Sequence, residues 1–227
     1  MSKIVLFGCG RGADVAYRFM SNDTKHEICG FTVDQKYIAA DTFRGLPLVP
    51  FENVEETYPP DDYRMLILLG YQEMNQLRAN KYAEAKKKGY ALESYVASNI
   101  FRVEPLDVGE NCFILDNQSI SLDVKIGNNV IMWSSNHIGD MTHIGDHTWV
   151  SSQVTVAANV EIGERAFLGI GATVSNAVKV APDTFVGADR LISTDTDNAG
   201  VYVHDGNQRL DTDSKTFMRI MMARKKL

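Results

Sequence analysis

Three of the five histidines of this 227-residue chain lie in one segment, residues 133–152, with the sequence WSSNHIGDMTHIGDHTWVSS. They are His137, His143 and His147, and acidic and small residues separate them. Near neutral pH a histidine can act as a general base or as a metal ligand. The H-x5-H-x3-H spacing suits a zinc site only if the three rings converge on one ion. The segment could equally be part of a repeating scaffold, so the elements that carry it decide its role.

A second segment that could do chemistry is the glycine-rich stretch GCGRGA near the N-terminus. Gly8, Gly10 and Gly12 stand between a predicted strand and a helix-like stretch. Glycines let the backbone approach a phosphate, and a helix N-terminus favours the negative charge of that phosphate. Asp34 ends the next predicted strand, where a carboxylate can bind a ribose or cap the strand end. The pattern predicts a nucleotide site, and a domain of this size favours a mononucleotide ligand over a dinucleotide.

The composition limits the function classes. The formal net charge of −6 argues against a general nucleic-acid-binding protein. Cys9, Cys29 and Cys112 are odd in number and lack metal-type spacing, which is typical of reduced thiols in a cytosolic protein. The N-terminus has no signal-peptide pattern, and no apolar stretch is long enough to span a bilayer. We therefore expect a cytoplasmic protein without membrane insertion.

Strand-like and helix-like segments alternate over the first hundred residues. Apolar strand patterns occur at residues 3–7, 27–34 and 63–70, and a helix pattern covers residues 72–89 and ends at Gly89. Such alternation predicts a parallel sheet with crossover helices. The Pro- and acid-rich connector between the second and third strands has room for one short helix.

The second half of the chain has a six-residue period. Every sixth residue is aliphatic or methionine at fifteen successive positions, which are Val108, Ile114, Ile120, Ile126, Met132, Ile138, Ile144, Val150, Val156, Ile162, Leu168, Val174, Val180, Val186 and Ile192. This is the hexapeptide repeat of a parallel β-helix, in which three short strands form one coil and the aliphatic side chains point inward. Three aromatic residues recur at the 18-residue spacing of one coil, namely Trp149, Phe167 and Phe185. We expect them to stack on one outer edge and to cover a corner or a subunit contact.

The two patterns divide the chain into three parts. We predict a small Rossmann-like α/β domain at residues 1–100, a β-helix of about five coils at residues 101–213 and a short C-terminal helix or tail at residues 214–227. A terminal helix of this kind can cap the end of the prism or pack on a neighbouring molecule.

With both halves considered, the chain resembles the nucleotide-sugar acyltransferases of the left-handed β-helix superfamily, of the type called NeuD- or PglD-like. The resemblance rests on VLFGCGRGADVA, GFTVD, LILLGYQEMNQLR and the coils that begin at WSSNHIGDMTHIGDHTWVSS. It implies a left-handed β-helix, a homotrimer with active sites between neighbouring prisms, and no metal. It also implies transfer of an acyl group, usually acetyl from acetyl-CoA, to the amino group of a nucleotide-linked amino-deoxysugar for surface glycan synthesis.

One position departs from the family pattern. The family's general base is a histidine two residues after an inward aliphatic residue, and the residue in that register here is Asp140. A carboxylate with a pKa near 3.9 is a far weaker base than an imidazole with a pKa near 6.5. His137, or else His143, could replace it as base with Asp140 orienting the ring. Alternatively Asp140 acts itself with a pKa raised by burial at the subunit interface, or the amine arrives neutral and needs no base.

The resemblance also implies binding residues. The nucleotide sugar is expected to contact Gly8, Gly10, Gly12, Asp34, Gly70 and Asn136. The acyl-CoA is expected to follow an outer groove along Trp149, Ala158, Ile170 and Ala188. Trp149 replaces a polar residue often found near the acyl group, so a longer acyl chain is an option. The segment GVYVHDGNQRL keeps only the start of a motif that relatives place near the CoA adenine.

Several other functions stay open at this point. O-acylation of a nucleotide sugar is the nearest alternative, because nothing in the sequence separates an amine acceptor from a hydroxyl acceptor. A non-catalytic nucleotide-sugar-binding protein would explain the missing family histidine. Zinc carbonic anhydrases also use left-handed β-helices, but the spacing of His137, His143 and His147 does not match their site. An NAD-dependent oxidoreductase is disfavoured because the β-helix offers no nicotinamide site.

Overall fold

The computed structural model describes residues 1–203 and 209–223 and confirms the predicted fold class, a small Rossmann-like α/β unit followed by a left-handed parallel β-helix. The first unit comprises, in chain order, β1 (Lys3–Phe7), α1 (Arg11–Asp23), β2 (Glu27–Val33), β3 (Thr42–Phe43), β4 (Leu46–Pro50), β5 (Tyr63–Ile67) and α2 (Gln76–Lys87). Its strands lie in the order β3-β4-β2-β1-β5, and only β3 pairs antiparallel, with β4. Ile4, Val5 and Leu6 of β1 are fully buried, as expected for a central strand covered on both faces.

The connector after β2 contains more structure than the sequence indicates. Besides the short 3-10 helix Phe51–Glu56, it forms β3 and β4, and β4 adds a parallel strand beside β2. Two prolines in β4 hide this strand from propensity arguments, although proline is tolerated near sheet edges. A second 3-10 turn, Gln35–Tyr37, follows β2 after the single residue Asp34.

The β-helix has strands of two residues each. In chain order they are β6 (Tyr95–Val96), β7 (Phe101–Arg102), β8 (Asp107–Val108), β9 (Phe113–Ile114), β10 (Ser119–Ile120), β11 (Lys125–Ile126), β12 (Ile131–Met132), β13 (His137–Ile138), β14 (His143–Ile144), β15 (Trp149–Val150), β16 (Thr155–Val156), β17 (Glu161–Ile162), β18 (Phe167–Leu168), β19 (Thr173–Val174), β20 (Lys179–Val180), β21 (Phe185–Val186), β22 (Leu191–Ile192) and β23 (Val201–Tyr202). β6 already pairs with β9, so the coil sheet begins upstream of residue 101. The helix α3 (Ser214–Ala223) follows.

These strands form three parallel sheets, one for each side of the prism. We call β6, β9, β12, β15, β18, β21 and β23 the domain face, because it packs against the N-terminal unit. We call β7, β10, β13, β16, β19 and β22 the neutral face, and β8, β11, β14, β17 and β20 the charged face, after their outward side chains. Except in β7, where Arg102 is exposed, the second residue of each strand points inward, and from Ile114 to Ile192 these residues are nearly all fully buried. The predicted six-residue register is therefore confirmed.

The aromatic residues repeated once per coil line up as expected, but they are buried against the N-terminal unit and α3 instead of lying on an outer edge. Trp149, Phe167 and Phe185 lie on the domain face, and the rings of Phe167 and Phe185 stack with centroids 4.7 Å apart. Tyr71 covers the first two at 5.0 and 4.8 Å, and Phe217 of α3 covers the third at 5.0 Å. The three rings thus form the apolar junction inside one chain.

Within the described ranges, no helix has the length and apolarity needed to cross a bilayer.

Candidate active-site cleft and the predicted catalytic residues

A cleft of about 770 Å³ lies at the carboxyl ends of β1, β2 and β5, where they face the β-helix. It is lined by residues that the sequence singled out as substrate contacts, namely Gly8, Gly10, Gly12, Asp34 and Gly70. The opposite wall comes from the domain face and includes Phe113, Ile131, Trp133 and Trp149. In open α/β sheets, ligands bind at the carboxyl ends of the strands. The fold therefore brings five predicted contacts together in one cavity.

The three glycines of the turn have different reasons to be glycine. Gly8 has a φ of +135°, which side chains rarely adopt, and a Cβ on Gly12 would lie 3.1 Å from the Leu68 carbonyl oxygen. Gly10, by contrast, has no heavy atom within 4 Å of a Cβ built on it. Gly10 is also the N-cap of α1 and provides no side-chain cap for the first backbone N–H groups. The open space at this helix N-terminus suits an anionic group.

Asp34 is held in the cleft by a lysine on α2. Lys81 Nζ lies 2.7 Å from Asp34 Oδ1 and 2.6 Å from Glu84 Oε2. Lys81 is only 9% exposed and its ammonium also lies 4.9 Å from the Phe51 ring centroid. Burial lowers the pKa of Lys81, but hydrogen bonds and charge from Asp34 and Glu84 outweigh it, so the pKa is raised and Lys81 stays protonated. The carboxylate of Asp34 is thus fixed in direction.

A smaller cavity of about 380 Å³ adjoins the cleft on the β-helix side. Tyr71, Trp133 and Trp149 line both cavities and form the wall between them. Ile170 and Ala188, two predicted CoA contacts, line the smaller cavity. Ala158, the remaining predicted CoA contact, lies in the turn between β16 and β17, on a different edge of the prism. Three of the four predicted CoA residues are therefore neighbours within one chain.

Sequence reasoning missed the polar group that joins the two units. Arg78 of α2 is completely buried, and its guanidinium donates to the carbonyl oxygens of Gly70, Asn129, His147 and Thr148. Asn75, also buried, accepts from Arg78 and donates to the carbonyl oxygens of two residues in a later coil. Burial lowers the pKa of Arg78 to about 9, which leaves it charged at neutral pH. Because arginine is ordinarily exposed, the sequence carries no signal of this role.

The helix after β5 begins later than its sequence pattern predicts. Glu73, Met74 and Asn75 have φ values of 54°, 54° and 64°, so three successive non-glycine residues are left-handed before α2 begins at Gln76. A left-handed backbone costs energy in a non-glycine residue, and it persists only where surrounding contacts fix it. Here the burial of Met74 and the Asn75 hydrogen bonds provide those contacts. Gly70 and Tyr71, which precede this turn, line the cleft.

The three clustered histidines do not converge. His137 lies exposed on the neutral face, His143 lies exposed on the charged face, and His147 lies in the turn that leads to the domain face. Across the described ranges, no group of three or more His, Cys, Asp or Glu side chains could hold a metal ion. The geometry of a single chain therefore gives the zinc alternative no support.

Asp140 lies in the turn after His137, on the edge between the neutral and charged faces. Its carboxylate accepts hydrogen bonds from the Ser121 hydroxyl and from the Leu122 backbone N–H, the latter at 3.1 Å. These bonds, helped by the nearby His137, lower the pKa of Asp140 below 3.8. The hypothesis that burial at a subunit interface raises this pKa concerns an assembly of chains and stays a prediction. His137 and Asp140 are three residues apart in the chain, and His137 as base stays a prediction.

Two predicted positions have other roles in this geometry. Asn136, expected to contact substrate, is 1% exposed, and its amide donates to the Trp133 carbonyl oxygen and accepts from the Val154 N–H. The N–H and the carbonyl oxygen of this amide are therefore both used in hydrogen bonds within the β-helix, because a buried polar group needs its partners. His147, one of the three clustered histidines, is the half-buried end of a ladder in which Asn111 contacts Asn129 at 2.7 Å and Asn129 contacts His147 Nδ1 at 2.8 Å.

The same two-part architecture occurs in solved structures. A histidine-to-asparagine mutant of perosamine N-acetyltransferase from Caulobacter crescentus, in complex with CoA and GDP-perosamine, aligns with a TM-score of 0.80 at 19% identity, over 93% of this chain and 98% of that chain. The acetyltransferase domain of PglB from Neisseria gonorrhoeae FA1090 aligns at 0.76 and 14% identity, over 92% and 99%. This chain has their fold. No protein-family model and no curated protein sequence matches it. At such low identity the likeness establishes architecture, and the residues of the site decide the chemistry.

Proposed function

We propose that this protein transfers an acyl group, in the first place acetyl, from acyl-CoA to the amino group of a nucleotide-linked amino-deoxysugar. The observation that carries the proposal is the cleft, in which a glycine-rich turn at a helix N-terminus and a fixed carboxylate face an aromatic wall of the β-helix. Two structures with the same fold, both of acetyltransferases, were determined with CoA and GDP-perosamine or with acetyl-CoA, which supports it.

The sheet order gives the ligand a direction. The end of β2, with Asp34, lies on one side of β1 and its glycine turn, and the end of β5, with Gly70, lies on the other side, next to the β-helix. We assign the nucleoside to the Asp34 side and the phosphates to Gly10 and the α1 N-terminus. The sugar then extends past Tyr71 toward Trp133, where aromatic rings can pack against its apolar faces.

The reaction forms an amide and breaks a thioester. The sugar amine attacks the thioester carbonyl carbon, the C–S bond breaks, and the CoA sulfur takes up a proton as the nitrogen loses one. A positioned base that accepts the nitrogen proton contributes about 10²- to 10⁴-fold to the rate. We assign this role to His137, because it is exposed and carries an imidazole three residues before Asp140.

The cleft and His137 lie on different faces of one prism, so we infer that the chamber forms between copies of the chain. The neutral face that carries His137 and the turns flanking it expose the large apolar side chains of Phe101, Val103, Leu122, Met141, Ile170 and Leu191. The outward column of the charged face consists instead of Asp107, Lys125, His143, Glu161 and Lys179. An apolar patch of this kind is typical of a subunit interface. We propose a cytoplasmic homotrimer whose product enters surface polysaccharide synthesis, such as O-antigen.

A direct assay tests the function. Purified protein is incubated with acetyl-CoA and a panel of GDP-, UDP- and dTDP-linked 4-amino sugars, and thiol release is measured together with the mass of the sugar product. Acetylated product with an amino sugar, and none with the matching 4-hydroxy sugar, supports N-acylation. Product with the hydroxy sugar only would instead establish O-acylation. Nucleotide-sugar binding without turnover on any acceptor would establish a binding protein.

The assignment of the base has its own test. His137→Ala should lower kcat at neutral pH about 10²- to 10⁴-fold, because the amine proton loses its acceptor. His143→Ala is the matched control, since it removes an exposed imidazole from the charged face, and it should leave kcat within about twofold of wild type. If His137→Ala keeps the kcat of the wild type, as the control is expected to do, His137 is excluded from the mechanism.

A further inference from the structure

The end of β2 presents an exposed aromatic ring to the cleft. Tyr37 is 60% exposed, and it closes the 3-10 turn Gln35–Tyr37 that follows Asp34 directly. Both Tyr37 and Asp34 line the cleft. Lys36 Nζ lies 4.9 Å from the Tyr37 ring centroid, so an ammonium covers one side of the ring. Among the described ring–ring contacts, none involves Tyr37. Its ring therefore offers a large apolar surface at this end of the cavity.

The neighbouring carboxylate is arranged to accept a hydrogen bond. Asp34 Oδ1 is engaged by Lys81 at 2.7 Å, and the described contacts leave Oδ2 without a donor. Lys81 is 9% exposed and is itself held between Glu84 and the Phe51 ring, so the carboxylate cannot turn freely. A flat apolar surface beside a fixed hydrogen-bond acceptor is complementary to a nucleobase, which has a π-face and N–H donors on its edge.

We propose that Tyr37 stacks on the base of the bound nucleotide and that Asp34 accepts a hydrogen bond from an N–H on the edge of that base. This inference rests on the proposed function, because the ligand is the nucleotide part of the sugar substrate. It adds Tyr37 to the site as a residue that contacts substrate, and it makes the nucleoside, and not only the diphosphate, a source of affinity.

Stacking sets the size of the expected effect. Base–aromatic stacking contributes about 1–3 kcal/mol per base, which corresponds to about 5- to 150-fold in Kd. Tyr37→Ala should weaken the binding of nucleoside diphosphates by a factor in this range. Tyr37→Phe keeps the ring and removes only the hydroxyl, so it should bind within about twofold of wild type if stacking is the interaction.

The experiment is isothermal titration of the full-length wild type, Tyr37→Ala and Tyr37→Phe with GDP, UDP, dTDP and inorganic pyrophosphate. The expected result is a loss for Tyr37→Ala alone, restricted to the ligands that carry a base. Wild-type affinity of Tyr37→Ala overturns the proposal, and so does an equal loss for Tyr37→Phe or for pyrophosphate. Light scattering is run in parallel, because a changed mass of Tyr37→Ala would make Tyr37 a subunit contact instead.

The outcome separates this inference from the function it rests on. If the wild type binds no nucleoside diphosphate, both are overturned. If it binds one and Tyr37→Ala binds it equally well, only the stacking role fails. If nucleotides bind as expected but no acyl transfer occurs, the nucleoside subsite stands and the enzymatic proposal fails.

Discussion

At the scale of single residues, a substitution at Gly10 should affect ligand binding much more than the stability of the fold. A Cβ at Gly10 meets no heavy atom within 4 Å, and its φ of −101° is open to any residue. Gly10→Ala should therefore change the free energy of unfolding by no more than about 0.5 kcal/mol. If a phosphate approaches the backbone here, the added methyl group should raise the Kd for nucleoside diphosphates about tenfold. Urea denaturation and titration calorimetry measure the two effects, and unchanged binding would move the phosphates elsewhere in the cleft.

His147 is the residue whose ionisation the junction controls. Burial lowers its pKa below 6.5, and the charge of Arg78 lowers it further. Asn129 accepts from Asn111 through Oδ1, so its Nδ2 faces His147 Nδ1, and a neutral ring suits this arrangement. A histidine whose pKa is depressed in the folded state binds its proton more readily when unfolded. Its stabilising effect is complete above pH 6.5 and is lost as the pH falls toward the folded-state pKa.

His147→Asn tests this linkage. Asparagine is neutral at every pH, tolerates the left-handed backbone of residue 147, where φ is 63°, and already occupies the ladder positions below it. The free energy of unfolding should fall less between pH 7.5 and pH 5.5 in the variant than in the wild type. Urea denaturation at both pH values gives the comparison. An identical fall in the two proteins would show that His147 does not contribute to the pH dependence.

At the scale of elements, the coils depend on close stacking of their turns. A Cβ on Gly163 would lie 2.5 Å from the Pro182 nitrogen of the next coil, which is backbone and cannot move alone. Gly163→Ala should therefore lower the free energy of unfolding by about 1–3 kcal/mol, as overpacking usually does. Gly10→Ala is the control, since it adds the same methyl group where nothing lies nearby. Equal stability of both variants would mean that the coils separate easily.

At the scale of the whole molecule, the neutral face should decide the oligomeric state. Met141 is 58% exposed beside Asp140, and a charge placed there would be buried in the proposed interface. Met141→Glu should convert a trimer of 25.3 kDa chains into monomers and remove acyl transfer at the same time. Ile220→Glu, at a 49% exposed position on α3, is the control and should leave the mass unchanged. Light scattering decides, and a Met141→Glu trimer would exclude this face from the interface.

The masses also test the trimer itself. If the wild type is a monomer in solution, His137 and the cleft cannot meet across two copies, and the chamber proposed between prisms is lost.

The segment GVYVHDGNQRL, expected near the CoA adenine, has residues 204–208 outside the described part of the chain, and the tail after residue 223 is also outside it. The argument for CoA therefore depends on Trp149, Ile170 and Ala188.

The sequence by itself determined the β-helix and its register. A coil of 18 residues places each residue on top of its equivalent in the next coil, so one periodic pattern specifies every inward side chain, from Ile114 to Ile192. The strand–helix alternation and the glycine turn likewise located the cleft residues Gly8, Gly10, Gly12 and Asp34, while Gly70 came from the family resemblance. These features are local or strictly repeated, and that is why they can be read along the chain.

Only the tertiary structure decided what covers each face. Arg78 bonds the His147 carbonyl oxygen 69 positions away, and Asn75 bonds the Arg165 carbonyl oxygen 90 positions away. No periodic pattern links such distant residues, and the type of a residue does not tell whether another unit buries it. For the same reason the sequence could not show that Trp149 packs under Tyr71 of its own chain. Whether a surface is buried depends on which other surface packs against it, and that is decided only when the whole chain folds.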